Sequence, residues 1–141
     1  MKYFYWLLAS FSILFVHPNQ AQSVLGPGII IPDNGTPVAS VINVNQLNGN
    51  NIDTVGFGLE SVCINITHTY TADLRLELIA PDGTKILLAE GVGGSGDNFT
   101  NTCFRQSTAN SIVNANPPFT GVFRPMGQLG RVNNGQSGIG A

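Results

Sequence analysis

The stretch LRLELIAPDGTKILL, residues 74–88, determines the predicted fold of this 141-residue chain. Its leucines alternate with Arg75 and Glu77, so an extended strand here has one apolar face and one charged face. PDGT (residues 81–84) follows in the residue order that favours a tight turn. The apolar run KILLA then returns as a second arm, and the sequence predicts a β-hairpin.

Alternation with a period of two also marks the segment before the hairpin. One predicted strand face carries Val62, Ile64, Ile66, His68 and Tyr70, and the other carries Cys63, Asn65, Thr67 and Thr69. Further short strands are predicted at VASVINV (Val38–Val44), NTCFR (residues 101–105) and PFTGVFRP (residues 118–125), between clusters of Gly, Pro and Asn. This spacing predicts an all-β chain, a sandwich or jelly roll rather than a parallel sheet.

The first 21 residues have the composition of a secretory signal peptide. Lys2 supplies a positive start, WLLASFSILFV (residues 6–16) is an apolar core, and a polar exit leads to cleavage after Ala21. The apolar run is shorter than the roughly 20 residues of a transmembrane helix, so we expect a secreted protein without a membrane span. Six basic residues against eight acidic ones form no basic stripe, so we expect no nucleic-acid partner.

Cys63 and Cys103 are the chain's two cysteines. In an exported protein the simplest prediction is that they form a disulfide with each other. Two free thiols and an intermolecular link are the alternatives.

The run GVGGSG (Gly91 to Gly96) matches the dinucleotide-binding pattern G-x-G-x-x-G. A phosphate cradle also needs a helix opening on the last glycine and an acidic residue about 20 positions later. The following segment, DNFTNTCF, has no helical periodicity, and Asp97 is the last acidic residue of the chain. The sequence therefore argues against a nucleotide site.

Catalytic and metal sites have few candidate residues. His68 is the only imidazole after the leader, and its place on an apolar strand face favours a core histidine over a catalytic base. No G-x-S-x-G or H-E-x-x-H motif occurs, so no catalytic residues are predicted. Asp73, Asp97 and Asn98, with glycine-loop carbonyls, are candidate calcium ligands, the alternative being solvated turn residues.

Three Asn-x-Thr sequons, which begin at Asn34, Asn65 and Asn98, would matter only in a cell that glycosylates.

The motifs INITHTYTADLRLELIAPDGTKILL, GGSGDNFTNTCF and PFTGVFRPMGQL, in this order, resemble the P domain (P/Homo B domain). This domain follows the catalytic domain of kexin- and furin-like proprotein convertases and occurs in secreted bacterial proteases. The resemblance runs from about residue 31 to about residue 135. It implies a jelly-roll-like antiparallel β-sandwich that has no catalytic residues of its own. Such a domain is usually attached to a subtilisin-like serine endopeptidase, which it stabilises or helps to fold. The resemblance also implies structural roles for the motif residues His68, Asp73, Gly83, Phe119 and Gly121.

The expected organisation is a signal peptide (1–21), a lead-in (22–30), the P domain (31–135) and a disordered tail (136–141). The family's closing strands, with a Gly-Thr-Trp motif, are not found, so we expect an incomplete sandwich that is marginally stable and disordered from about Gly127.

The expected function is that of a secreted, non-catalytic module whose partner is a subtilisin-like protease domain or another secreted protein. The alternative is a component of a serine-type endopeptidase whose catalytic domain is encoded elsewhere or lost. Sugar binding has little support, because Trp6, the only Trp, lies in the leader.

Overall fold

The computed structural model describes residues 21–45, 51–52 and 58–136. Within these ranges the strands are β1 (Ser61–Ile66), β2 (Arg75–Ile79), β3 (Lys85–Glu90), β4 (Phe99–Arg105) and β5 (Gly121–Phe123). Short 3₁₀ helices span Thr71–Asp73, Ile112–Asn114 and Leu129–Val132. The strands form two sheets, and the predicted all-β class is confirmed.

The predicted signal peptide, apart from its last residue, lies outside the described residues, as do residues 137–141 of the predicted tail. Among the residues that are described, no helix has the length and apolar character needed to cross a membrane.

The predicted hairpin is present as the antiparallel pair β2–β3. Its turn is closed by a hydrogen bond from the Gly83 N–H to the Ala80 carbonyl, and Gly83 has a φ of 84°, which glycine adopts at little cost. The Asp82 carboxylate accepts the Thr84 N–H at 2.8 Å. The Pro-Asp-Gly-Thr order thus forms the turn that links the two strands.

The second sheet has the strand order β1-β4-β5. β1 and β4 are antiparallel, but β4 and β5 are parallel, which differs from the purely antiparallel sandwich predicted from the sequence. The reason lies in residues 106–120, which contain the second 3₁₀ helix and carry the chain back to the starting end of β4. A parallel pair needs such a crossover, whereas a hairpin does not.

The core lies against both sheets. Its largest fully buried apolar side chains are Phe99, Phe104, Phe119, Ile86, Ile112 and Leu129. Val62, Ile64 and Ile66 of β1 pack against this core as predicted, while Cys63 and Asn65 are exposed.

The predicted inward face of this strand does not extend to Tyr70, which is 44% exposed. β1 ends at Ile66 and the chain turns into the first 3₁₀ helix, so the strand's alternation stops before Tyr70.

The prediction of a strand at Val38–Val44 is wrong, because this segment carries only a single bridge residue, Val44. An alternating pattern becomes a strand only where a neighbour pairs with its main chain, and no ladder forms here among the described residues. In the structure the irregular lead-in extends to residue 45, and we use the term for residues 22–45 from here on. Its exposed apolar residues are Val24, Leu25, Ile29, Ile30, Val38, Val41 and Ile42.

The expectation of disorder from Gly127 is also wrong. The Gly127 N–H bonds to the Leu87 carbonyl of β3 at 2.7 Å, and Leu129 and Val132 are only 1% and 4% exposed. Residues three apart eclipse each other in a 3₁₀ helix, so these two side chains enter the core together. The Asn133 side chain then binds the main chain of Leu59, accepting its N–H at 2.7 Å.

Asn134 links this C-terminal segment to the hairpin turn. Its side-chain amide donates to the Asp82 carboxylate at 2.7 Å and, with a smaller contribution from the Thr84 N–H, holds the pKa of Asp82 below its ordinary value. Because the folded-state pKa is depressed, the stabilisation is present above the unfolded pKa and is lost as pH falls through the folded one.

We expect Asn134→Ala to raise the pKa of Asp82, as measured by NMR titration of its carboxyl carbon. Identical titration curves for the two proteins would contradict this contact.

Candidate functional site

The glycine loop, residues 91–98, joins β3 to β4. Gly91, Gly93 and Gly94 have φ values of 63°, 85° and 55°, in the left-handed region that favours glycine. The element after the loop is a strand rather than the helix on which a dinucleotide phosphate would sit. The glycines therefore serve a different structural need.

The glycine loop is hydrogen-bonded to the first 3₁₀ helix. The Thr71 N–H donates to the Gly96 carbonyl at 2.9 Å, and the Ala72 N–H donates to the Gly94 carbonyl at 3.3 Å. The fully buried Thr71 hydroxyl donates to the Val92 carbonyl at 3.0 Å. These bonds satisfy polar groups that would otherwise be costly to bury.

The loop also passes very close to neighbouring side chains. A Cβ atom on Gly93 would lie 2.5 Å from the Thr71 hydroxyl, 2.6 Å from Pro117 Cγ and 2.8 Å from Phe119 Cζ. A Cβ atom on Gly96 would lie 2.6 Å from Pro117 Cγ. We call these five residues, Thr71, Gly93, Gly96, Pro117 and Phe119, the glycine junction.

Gly93→Ala is expected to lower the free energy of unfolding by about 2–4 kcal/mol, because overpacking adds to the cost of a left-handed residue. Gly94→Ala is a matched control, since Gly94 also has a positive φ but an added Cβ would meet nothing within 4 Å. The control should lose only about 1–2 kcal/mol, the cost of the backbone alone. Urea unfolding measures both changes, and equal losses would show that crowding at Gly93 is not important.

His68 connects β1 to the end of the glycine loop. Its N–H donates to Asn98 Oδ1 at 3.0 Å, and its carbonyl accepts the Asn98 N–H at 3.0 Å. In the side chain, Nδ1 accepts the Tyr70 N–H at 3.1 Å, and Nε2 lies 3.6 Å from the Asp33 carboxylate. His68 is thus a structural connector whose imidazole faces the lead-in segment.

Phe119 belongs to the glycine junction and also lies at the centre of an aromatic cluster. Its ring stacks on Phe99 with centroids 4.7 Å apart and meets Phe123 edge-on at 6.3 Å. The buried Thr102 hydroxyl donates to the Phe119 carbonyl. Gly121 follows at the start of β5, opposite Thr102, with a φ of 120°.

Cys63 and Cys103 are joined by a disulfide, which agrees with the predicted pairing. The two residues lie directly opposite each other in the β1–β4 register. The bond closes a loop that contains the hairpin, the first 3₁₀ helix and the glycine loop.

The remaining predicted residues are more dispersed. Asp73 is exposed at the end of the first 3₁₀ helix, Asp97 is exposed in the glycine loop, and Gly83 lies in the hairpin turn. The structure therefore brings His68, Asn98 and Phe119 to one region and places Gly83 in the turn of the other sheet.

The loop carbonyls and the Asn98 side-chain oxygen proposed for calcium already accept hydrogen bonds within the protein. The carbonyls of Gly93, Gly94 and Gly96 each accept a main-chain N–H, and Asn98 Oδ1 accepts that of His68. In the described ranges, no group of three or more His, Cys, Asp or Glu side chains is placed to hold a metal. Each carbonyl keeps a second lone pair, so calcium binding stays a prediction.

Sequence reasoning missed three contributors to this region. Thr71 and Thr102 are polar residues that are completely buried, and Asp33 approaches His68 from the lead-in. Threonines in turns and strands are usually solvated, and Asp33 is far from His68 in the chain. No local signal identifies these contacts, because their partners are distant in sequence.

Residues 60–117 match the family model described as the proprotein convertase P-domain. This match supports a P domain in that segment of the chain. Leupeptin-inactivating enzyme 1 of Streptomyces exfoliatus is 41% identical over 73 residues, which cover 51% of this chain and 16% of that protein. The chain thus spans a small part of this curated relative. No solved structure gives a significant match.

The span matched to the P domain includes β1 to β4, the disulfide and the glycine loop. The core extends past this span, because Phe119, Leu129 and Val132 are also buried in it. The packed unit is therefore larger than the matched segment.

Proposed function

We propose that this chain is a secreted, non-catalytic P-domain module that stabilises a subtilisin-like serine endopeptidase. The observation that carries the proposal is the match of residues 60–117 to the P-domain family. Members of this family accompany such proteases, and the chain supplies the domain's compact disulfide-linked core. Export fits both the leader-like first 21 residues and the disulfide.

The contacts of His68 support a non-catalytic role. A nucleophile in a hydrolase needs a base within hydrogen-bonding distance. Here Nδ1 of His68 accepts the Tyr70 N–H, and its Nε2 lies 3.6 Å from the Asp33 carboxylate. The two cysteines are joined to each other in a disulfide. In the described part of the chain, no serine or threonine hydroxyl bonds to the imidazole.

The lead-in supports an interaction with another protein surface. Leu25 and Ile30 are 92% and 88% exposed, and further exposed apolar residues surround them in the chain. Clustered exposed apolar residues are typical of interaction sites. A bound module present at 100 times its dissociation constant would stabilise its partner by about 2.7 kcal/mol.

The test is co-elution of the purified chain with a subtilisin-like catalytic domain encoded in the same genome. We expect a complex for the unmodified chain and its loss in the Leu25→Asp/Ile30→Asp double variant. Val113→Asp is the matched control, because Val113 is 56% exposed but lies away from the lead-in sequence. The proposed surface would be contradicted if all three proteins co-eluted equally with the catalytic domain, or if none of them co-eluted with it.

The purified chain alone should not hydrolyse casein. Serine-protease activity that co-purifies with it through every step would refute the non-catalytic role. Activity that appears only when chain and catalytic domain are combined, and is absent from that domain alone, would favour the alternative of an endopeptidase component.

Removal of the leader is tested by N-terminal sequencing of protein from the medium, whose sequence should begin at Gln22 if cleavage occurs as predicted.

The proposal includes calcium binding by Asp73, Asp97 and Asn98. We expect a higher melting temperature in millimolar calcium than with a chelator, because a ligand that binds the folded state stabilises it. Asp73→Asn/Asp97→Asn should remove this difference, whereas Glu60→Gln, which neutralises another exposed carboxylate, should keep it. Equal melting temperatures with calcium and chelator for the unmodified chain would show that these residues hold no calcium.

A further inference from the structure

We propose that Asn34 is a site of spontaneous deamidation, a water-dependent modification of the lead-in segment. Asn34-Gly35 lies in an exposed turn, and Gly35 has a φ of 73°. A Cβ atom on Gly35 would meet nothing within 4 Å, so the space around the peptide bond is open. Glycine has no side chain, so its nitrogen is accessible and its backbone can adopt a wider range of conformations.

The reaction balances with water as the only co-reactant. The main-chain nitrogen of Gly35 attacks the side-chain carbonyl carbon of Asn34, a new C–N bond forms, and the side-chain amide leaves as ammonia. Water then opens the resulting cyclic imide at either carbonyl. The products are aspartate and isoaspartate at position 34, each with one additional negative charge.

Asn134-Gly135 offers an internal comparison with the same dipeptide. There the Gly135 N–H donates to the Ile52 carbonyl at 2.8 Å, so the attacking nitrogen is held in a hydrogen bond. The Asn134 amide is also fixed, because it donates to Asp82 at 2.7 Å and accepts the Gln136 N–H at 3.1 Å. By contrast, the Asn34 side chain makes one hydrogen bond among the described residues, in which its Oδ1 accepts the Thr36 N–H at 3.0 Å.

The position of Asn34 gives the modification a local consequence. The preceding residue, Asp33, has its carboxylate 3.6 Å from His68 Nε2. Deamidation adds a second carboxylate next to this pair, and the isoaspartate product also lengthens the main chain by one methylene. Both products change the contact between the lead-in and the His68 imidazole.

The experiment incubates the folded protein in mildly alkaline buffer below its melting temperature. Protein from a host that does not glycosylate is used, because Asn34 also begins a sequon. Mass spectrometry with fragmentation follows the mass gain separately at Asn34 and Asn134. We expect Asn34 to convert several times faster than Asn134, and the two rates to converge in reduced protein unfolded in urea.

Asn34→Gln should remove the mass gain at this position, because the longer side chain would have to close a larger ring. Equal rates at Asn34 and Asn134 in the folded protein would overturn the proposal. So would an Asn34 that remains intact in the folded protein while the unfolded chain converts. The result does not depend on any protease partner, so it stands or fails separately from the proposed function.

Discussion

Replacement of Phe119 by alanine is expected to lower the free energy of unfolding by about 3–5 kcal/mol. The side chain is completely buried, stacks on Phe99 at 4.7 Å and meets Phe123 at its edge. Truncation removes this apolar contact and leaves a cavity beside Gly93, whose main chain approaches the ring closely. A domain of this size has only about 5–15 kcal/mol of net stability, so the variant should be close to unfolding.

Thr120→Ala is the control for this measurement, since Thr120 is the next residue and is exposed. Its effect should remain within about 0.5 kcal/mol, as for most surface substitutions. Urea unfolding followed by circular dichroism measures both variants. A loss below about 1 kcal/mol for Phe119→Ala would show that the aromatic cluster is not the centre of the core.

Removal of the Cys63–Cys103 disulfide is expected to cost about 4 kcal/mol in the chain-entropy model. The two cysteines are separated by 40 positions, so the crosslink strongly restricts the unfolded chain. Cys63 is exposed and Cys103 half-buried, so a Cys63→Ala/Cys103→Ala double variant leaves little cavity in the core. The loss should therefore come mainly from the greater freedom of the unfolded state.

Unfolding of the double variant should be compared with that of the oxidised and reduced wild-type protein. The reduced protein and the double variant should have similar free energies of unfolding, both well below that of the oxidised protein. An oxidised protein no more stable than the double variant would contradict a stabilising role for the disulfide.

The hairpin could be predicted from sequence because its determinants are local. The alternation of Leu76 and Leu78 with charged residues sets the strand face, and Pro81-Asp82-Gly83-Thr84 sets the turn. The inward face of β1 was predictable for the same reason as far as Ile66. The pairing of Cys63 with Cys103 required only the count of cysteines and the expectation of export.

The parts that could not be predicted depend on contacts between distant segments. The parallel pairing of β4 with β5 is set by the course of residues 106–120 rather than by a pattern within either strand. Leu129 and Val132 lie among glycines and asparagines, yet β3 and the core provide a place for both side chains. Val38–Val44 shows the reverse case, since it has strand-like alternation but no strand ladder among the described residues.

The glycine junction illustrates why a motif alone does not define a site. The residues from Gly91 to Gly96 match a dinucleotide-binding pattern, but crowding by Thr71, Pro117 and Phe119 explains the glycine at position 93. These neighbours are distant in sequence, so only the folded structure reveals them.

The most direct test of the proposed stabilising role is the thermal inactivation of a subtilisin-like catalytic domain encoded in the same genome. Its residual activity is measured after heating with increasing amounts of the purified chain. We expect the half-life to lengthen with added chain and to reach a plateau when the binding site is saturated, and we expect no protection from the Leu25→Asp/Ile30→Asp variant. A half-life that is the same with and without the unmodified chain would contradict the proposal.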